Sequence, residues 1–137
     1  HDLKYLGPKG QNLADPKGEG SHQQVPVIDY AKHLRTMVAR LEKTGAQLIW
    51  RTTTPVPPGA KGRVVGDSVK YNQAAAKIMK ERKIAIDDMY TFCMPRLKEI
   101  MRPANVHFTP AGSKALARQA AAAINAALTR RAPSSEK

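Results

Sequence analysis

The sequence predicts an α/β fold, a parallel sheet covered by helices, and three observations carry that prediction. A stretch with helical apolar spacing, Tyr30–Thr44, passes through Gly45 straight into a strand-like stretch, Ala46–Thr53. The same order returns as a helical pattern over about Ser68–Arg82 followed by the short apolar run Lys83–Ile86. An alanine-rich segment beginning at Pro110 then closes the chain with a further helix. Helices alternating with short strands in this way point to βαβ-type connections and parallel pairing.

Taken in order, residues 1–26 are rich in Gly, Pro, Lys, Gln and Asp, show no hydrophobic period, and are expected to be a loop or flexible arm. Asp29 is the expected cap of the first helix, whose apolar stripe is Tyr30, Leu34, Met37, Val38 and Leu41, with Gly45 as its stop. Pro55, Pro57, Pro58 and Gly59 end the first strand, and a loop to Asp67 leads into the second helix. After the strand Lys83–Ile86, Asp87 or Asp88 caps the next helical segment. Pro95 interrupts it, so a turn and a second short helix, about Pro95–Met101, are expected. Thr109 followed by Pro110 reads as an N-cap with proline at the first helical position, and the last helix runs to about Arg130. Residues 27–130 thus form a partial α/β domain, and 131–137 a disordered polar tail. A parallel sheet of two strands cannot stand alone. The sheet is therefore expected to be incomplete within this chain, its open edge covered by a partner chain or by a second copy in a homodimer.

Composition narrows the function classes. At 137 residues the chain is one domain, and a mean hydropathy of -0.47 with no apolar run of eighteen residues codes no transmembrane helix. The single Cys93 excludes an internal disulfide and a zinc cluster built on cysteines, and is expected as a buried thiol. A net charge of +12 invites nucleic acid, but the basic residues are scattered over several helices, and 5% aromatic residues are too few for a stacking platform. No specific nucleic-acid function is expected. No His/Asp/Glu grouping has metal-ligand spacing, and no cofactor motif is present.

The residue with the clearest chemistry is His107, in a loop two residues ahead of the Thr109 cap. An imidazole between a strand end and a packed helix is well placed for general-base work. Asn105 cannot carry a negative charge, but its amide oxygen can accept from the ring N–H and orient the base. Gly66-Asp67-Ser68 offers a serine, which reads either as the N-cap of the second helix or as a nucleophile. Asp88 is a candidate helper of the base, but reads more plainly as a structural helix cap. His33, among Lys32 and Arg35, reads as solvated; Trp50 and Met37 read as core.

Several of these stretches resemble the SGNH (GDSL-type) hydrolases. They are His1-Asp2-Leu3-Lys4-Tyr5, Leu48–Pro57, Tyr71-Asn72 with Ile78-Met79, Ile84–Tyr90, and Asn105-Val106-His107-Phe108-Thr109-Pro110-Ala111-Gly112. Together they cover nearly all of residues 1–128 in the family's order. The resemblance implies a flavodoxin-like three-layer α/β/α fold and a serine ester hydrolase, with His107 as general base. The family commonly acts on short acyl esters, often as a carbohydrate O-deacetylase, so the implied substrate is a small ester or acetylated carbohydrate, and a secreted or periplasmic address is slightly favoured. It also implies an absence. The family's nucleophilic serine, in its Gly-Asp-Ser block, and its oxyanion-hole Gly and Asn align upstream of His1. The chain is thus similar to the C-terminal portion of such an enzyme. The family's usual Asp three residues before the His is Ala104 here. The alternative is a non-catalytic basic α/β scaffold that binds a polyanion or a partner chain.

Overall fold

The computed structural model describes residues 1–131. In chain order they form strands β1 (Tyr5–Leu6) and β2 (His22–Gln23), helix α1 (Val27–Glu42), strand β3 (Ile49–Arg51), helix α2 (Asp67–Glu81) and strand β4 (Ala85–Asp87). Helix α3 (Met89–Cys93), a 3-10 turn (Met94–Arg96), helix α4 (Leu97–Ile100) and helix α5 (Pro110–Arg131) follow. The tail expected over 131–137 lies outside the described residues, apart from Arg131 at the end of α5.

The parallel sheet is the pair β3–β4, in register Ile49↔Ala85, Trp50↔Ile86 and Arg51↔Asp87. Its pleat assigns the layers. Successive side chains of a strand point to opposite faces. Trp50 and Ile84 pack with Leu34 and Val38 of α1 and Ala75, Ile78 and Met79 of α2. On the other face Asp87 takes Arg51 through its Nε (2.8 Å) and a terminal guanidinium nitrogen (2.7 Å), and Gln119 of α5 donates to it at 3.0 Å. Helices therefore lie on both faces of a small parallel sheet, as the α/β prediction requires.

The ladder is three residues long where the sequence predicts eight residues for β3 alone, because β4 ends at Asp87 and Asp88 already caps α3. A strand extends only as far as its partner. The helix ends also differ from expectation. Pro26, not Asp29, stands at the N-cap of α1, and Asp29 falls in the first turn, where its charge still favours the helix N-terminus. Met37, placed in the core by its spacing, is 52% exposed, and Leu41 is exposed with it. The buried stripe is narrower, Leu34 and Val38. Cys93 is fully buried, and that burial raises its thiol pKa. Pro95 sits in the 3-10 turn, and α4 begins at Leu97 rather than at Pro95.

Residues 1–26, expected as a loop or flexible arm, are tied down at several points. β1 and β2 pair antiparallel, and Tyr5 N–H donates to the Gly62 carbonyl at 2.8 Å. Leu3 is buried with Val56, Ala60 and Tyr71. Gln23 donates to Asp67 (3.0 Å), and the Tyr71 hydroxyl donates to the Val25 carbonyl (2.6 Å). One buried leucine and a few long-range bonds leave no periodic trace in a sequence.

Burial pushes the Tyr71 hydroxyl up to about 12, with the negative charges of Asp67 and Asp2 adding to the effect. The unfolded chain releases this proton near pH 10 and the folded chain holds it longer, so the contribution is whole below pH 10 and disappears as pH rises towards 12. Urea denaturation across that interval should show a stability loss of about 2 kcal/mol, and Tyr71→Phe should flatten much of the slope. An unchanged slope in Tyr71→Phe would locate the titration elsewhere.

Candidate active site

The loop carrying His107 is closed at its base by an antiparallel bridge between Met101 and Phe108. Arg102 N–H donates to the His107 carbonyl (2.9 Å) and Asn105 N–H to the Arg102 carbonyl (3.2 Å), which makes 102–107 a tight turn. Met101, Met89, Cys93 and Ile100 form a buried cluster beneath it, against which Val106, Phe108 and Leu116 pack. Just beyond, Thr109 Oγ1 accepts from Gly112 N–H at 3.0 Å, the side-chain cap of α5 that the Thr-Pro pair predicts.

The imidazole of His107 is exposed in this turn, and its hydrogen-bond partner fixes its tautomer. Asn105 Oδ1 lies 2.9 Å from His107 N and 2.7 Å from His107 Nδ1. A backbone N–H can only donate, so the side-chain atom facing it must be the amide oxygen. That oxygen can only accept, so Nδ1 of the neutral ring carries the hydrogen. Nε2 is left with its lone pair, which is the form a base needs.

His107 is among the residues that line a cavity of about 680 Å³. Thr53 and Thr54, the residues just past the carboxyl end of β3, form part of its wall, as do Asn12, Lys61 and Arg63. In open α/β sheets, ligands bind at this end of the strands. Thr53 is held in place by Asn72, whose amide accepts from Thr53 N–H and donates to the Thr53 carbonyl, both at 2.8 Å. Sequence reasoning missed the threonines and the loop cations; the one available signal was that Thr52-Thr53 ends the predicted strand, with Thr54 next to it.

The other candidates lie elsewhere. Gly66, with φ of +90°, is the N-cap of α2, so Ser68 is not the cap; it is the second residue of the helix, completely buried. Its hydroxyl has no hydrogen-bond partner, and Ser68 is not among the residues lining the His107 cavity. A buried hydroxyl without a partner costs about 1–3 kcal/mol. Ser68→Ala should therefore raise stability by about 1 kcal/mol in urea unfolding and leave any hydrolysis intact, whereas abolished turnover would restore Ser68 as nucleophile. Asp88 caps α3, accepting from Thr91 N–H (3.1 Å), Thr91 Oγ1 (2.6 Å) and Thr52 Oγ1 (3.2 Å). Burial pushes its carboxyl up, but those hydrogen bonds outweigh it and hold the pKa below the usual range. It does not line the cavity. His33 and His22 are exposed, and the His22 ring lies near the Gly20 carbonyl. Among the described residues no group of three His, Cys, Asp or Glu side chains is gathered to hold a metal, and no helix is long and apolar enough to cross a membrane.

No family model and no curated protein matches the chain. Among solved structures, the crystal structure of the lipase/acylhydrolase from Enterococcus faecalis is similar, with a TM-score of 0.65 and 17% sequence identity. The match covers 73% of this chain and 52% of that one, so the chain spans about half the length of the structure it matches. At this identity the likeness is one of fold: the chain has a mixed α/β architecture, a small parallel sheet with helices, similar to that of a lipase/acylhydrolase.

Proposed function

We propose that this chain is the C-terminal part of a serine ester hydrolase of the SGNH type and supplies its general base, His107. The observation that carries the proposal is the Asn105–His107 pair, which leaves Nε2 as an acceptor on a residue that lines a cavity beside the carboxyl end of β3. Among the described residues no serine or cysteine lines that cavity. The proposed nucleophile is a serine upstream of residue 1, where the resemblance puts the family's Gly-Asp-Ser block. The edge of β3 opposite β4 has no strand among the described residues, and further strands bearing that serine would add there.

In the proposed reaction Nε2 takes the proton as the serine oxygen attacks the ester carbonyl. The imidazolium then gives that proton to the departing alkoxide, leaving an acyl-enzyme. Water attacks the acyl-enzyme with Nε2 again as base, releasing the acid and the free serine. Asn105 accepts from Nδ1–H throughout and holds the ring. As an uncharged residue it gives the imidazolium less help than a carboxylate would. Short acyl esters, including acetyl groups on carbohydrates, are the proposed substrates.

The test is hydrolysis of p-nitrophenyl acetate, and acetate release from an acetylated oligosaccharide, by the full-length polypeptide containing residues 1–137. Turnover above background in both is expected. Absence of both would favour the basic scaffold that binds a polyanion or a partner chain.

A further inference from the structure

The cavity beside His107 is lined by three cationic side chains, Lys4, Lys61 and Arg63, and by no Asp or Glu among the described residues. They come from two segments far apart in sequence, and the backbone brings them together. Tyr5, next to Lys4, donates its N–H to the carbonyl of Gly62, which stands between Lys61 and Arg63. Gly62, with φ of +62°, approaches Leu13 so closely that a Cβ there would fall 2.4 Å from the Leu13 Cα, so the contact admits no side chain. Arg63 also donates to the Lys61 carbonyl at 3.2 Å. The ion pairs among the described residues join Arg35 to Glu81, Arg51 to Asp87, Lys70 to Asp67 and Arg82 to Glu42, and none of them involves Lys4, Lys61 or Arg63. Three cations lining one cavity without a counterion give it a positive potential, which favours the entry of an anion.

We propose that this wall binds an anionic group, a carboxylate or a sulfate, on the substrate, so that the esters handled at His107 are esters of acidic molecules. The ester half of this proposal rests on the hydrolase function proposed above; the anion-binding half stands on Lys4, Lys61 and Arg63 alone. Neutral acetyl esters would be turned over, but less efficiently.

The test uses the full-length polypeptide and three acetyl phenol esters that share one scissile bond: 4-acetoxybenzoate, 4-acetoxybenzenesulfonate and methyl 4-acetoxybenzoate. In low salt kcat/KM for one or both anionic esters should exceed the neutral one by about tenfold, and the better of the two identifies the anion. The advantage should shrink severalfold at about 0.5 M salt, where the screening length is only a few Å. Lys61→Gln/Arg63→Gln should pull the anionic rates towards the neutral one, and Lys4→Gln, a separate variant, should do so in part. Binding is read independently by NMR titration with 4-acetamidobenzoate and 4-acetamidobenzamide, which cannot be deacylated by the same route at a comparable rate. The acid should bind about tenfold more tightly and shift the amides of Lys61, Arg63 and His107. Equal kcat/KM for all three esters, or equal binding of acid and amide, would overturn the anion site while leaving the hydrolase in place. No hydrolysis of any ester with the acid still preferred would overturn the hydrolase and uphold the anion site.

Discussion

Replacing His107 by alanine in the full-length polypeptide should lower kcat on p-nitrophenyl acetate by about 10³-fold with KM changed by less than about threefold. The expectation follows from where the ring stands. Its Nδ1 is committed to Asn105 at 2.7 Å, and the residue is exposed and lines the cavity, so the substitution removes a proton acceptor and little binding surface. Asn105 acts through the ring and is a positioning residue. Asn105→Ala should lower kcat by about tenfold and shift the acid limb of the pH–rate profile, and Asn105→Asp should restore the rate, since a carboxylate accepts from the same two N–H groups and adds charge. A His107→Ala enzyme with unchanged kcat would mean that another group removes the proton.

The largest structural effect should come from Gly112→Ala. A Cβ built at Gly112 lies 2.1 Å from the Ile100 carbonyl oxygen and 2.8 Å from its carbon. Both partners are backbone, so neither can swing aside as a side chain would. The same carbonyl accepts from Thr109 N–H at 2.8 Å, and retreat would break the bond that seats the start of α5. Overpacking with no flexible partner costs typically 1–3 kcal/mol and occasionally more; about 3 kcal/mol is expected, read as a lower urea midpoint at unchanged m-value. Because Thr109 and Gly112 also anchor the turn that presents His107, any residual activity should fall further than stability alone explains. An unfolding free energy within about 0.5 kcal/mol of wild type would mean that α5 is not pressed against Ile100 as tightly as the geometry has it.

The parts of the molecule legible in the sequence are those set by neighbours along the chain. Thr109-Pro110 announces the start of α5 because cap and first-turn chemistry are local, and Asp88 announces α3 for the same reason. The helix–glycine–strand order locates α1 and β3 within a few residues. Strand lengths were not legible, since a strand ends where its partner does and the partner lies 36 residues away across the Arg51–Asp87 pair. Ser68 misled for a related reason. Any of Gly66, Asp67 and Ser68 suits an N-cap, and the choice fell to Gly66 while Asp67 was drawn to Gln23 and Lys70, one contact distant in sequence and one near. The period that placed Met37 and Leu41 in the core describes a stripe wider than the one the neighbours of α1 cover. Of the cavity wall, the histidine turn could be read from its own sequence. The cations of the same cavity could not, because the segments of Lys4 and Lys61 are far apart in sequence and joined by a backbone bond from Tyr5 to Gly62.

The central claim is that His107 serves a serine hydroxyl borne by a different stretch of polypeptide, and it is tested most directly by covalent trapping. The full-length protein is treated with a fluorophosphonate and the modified residue is located by peptide mapping, in wild type and in His107→Ala. The expected result is one modified serine outside residues 1–137, with labelling slowed at least a hundredfold in the variant. Modification of Ser68, or labelling indifferent to the loss of the imidazole, would contradict it.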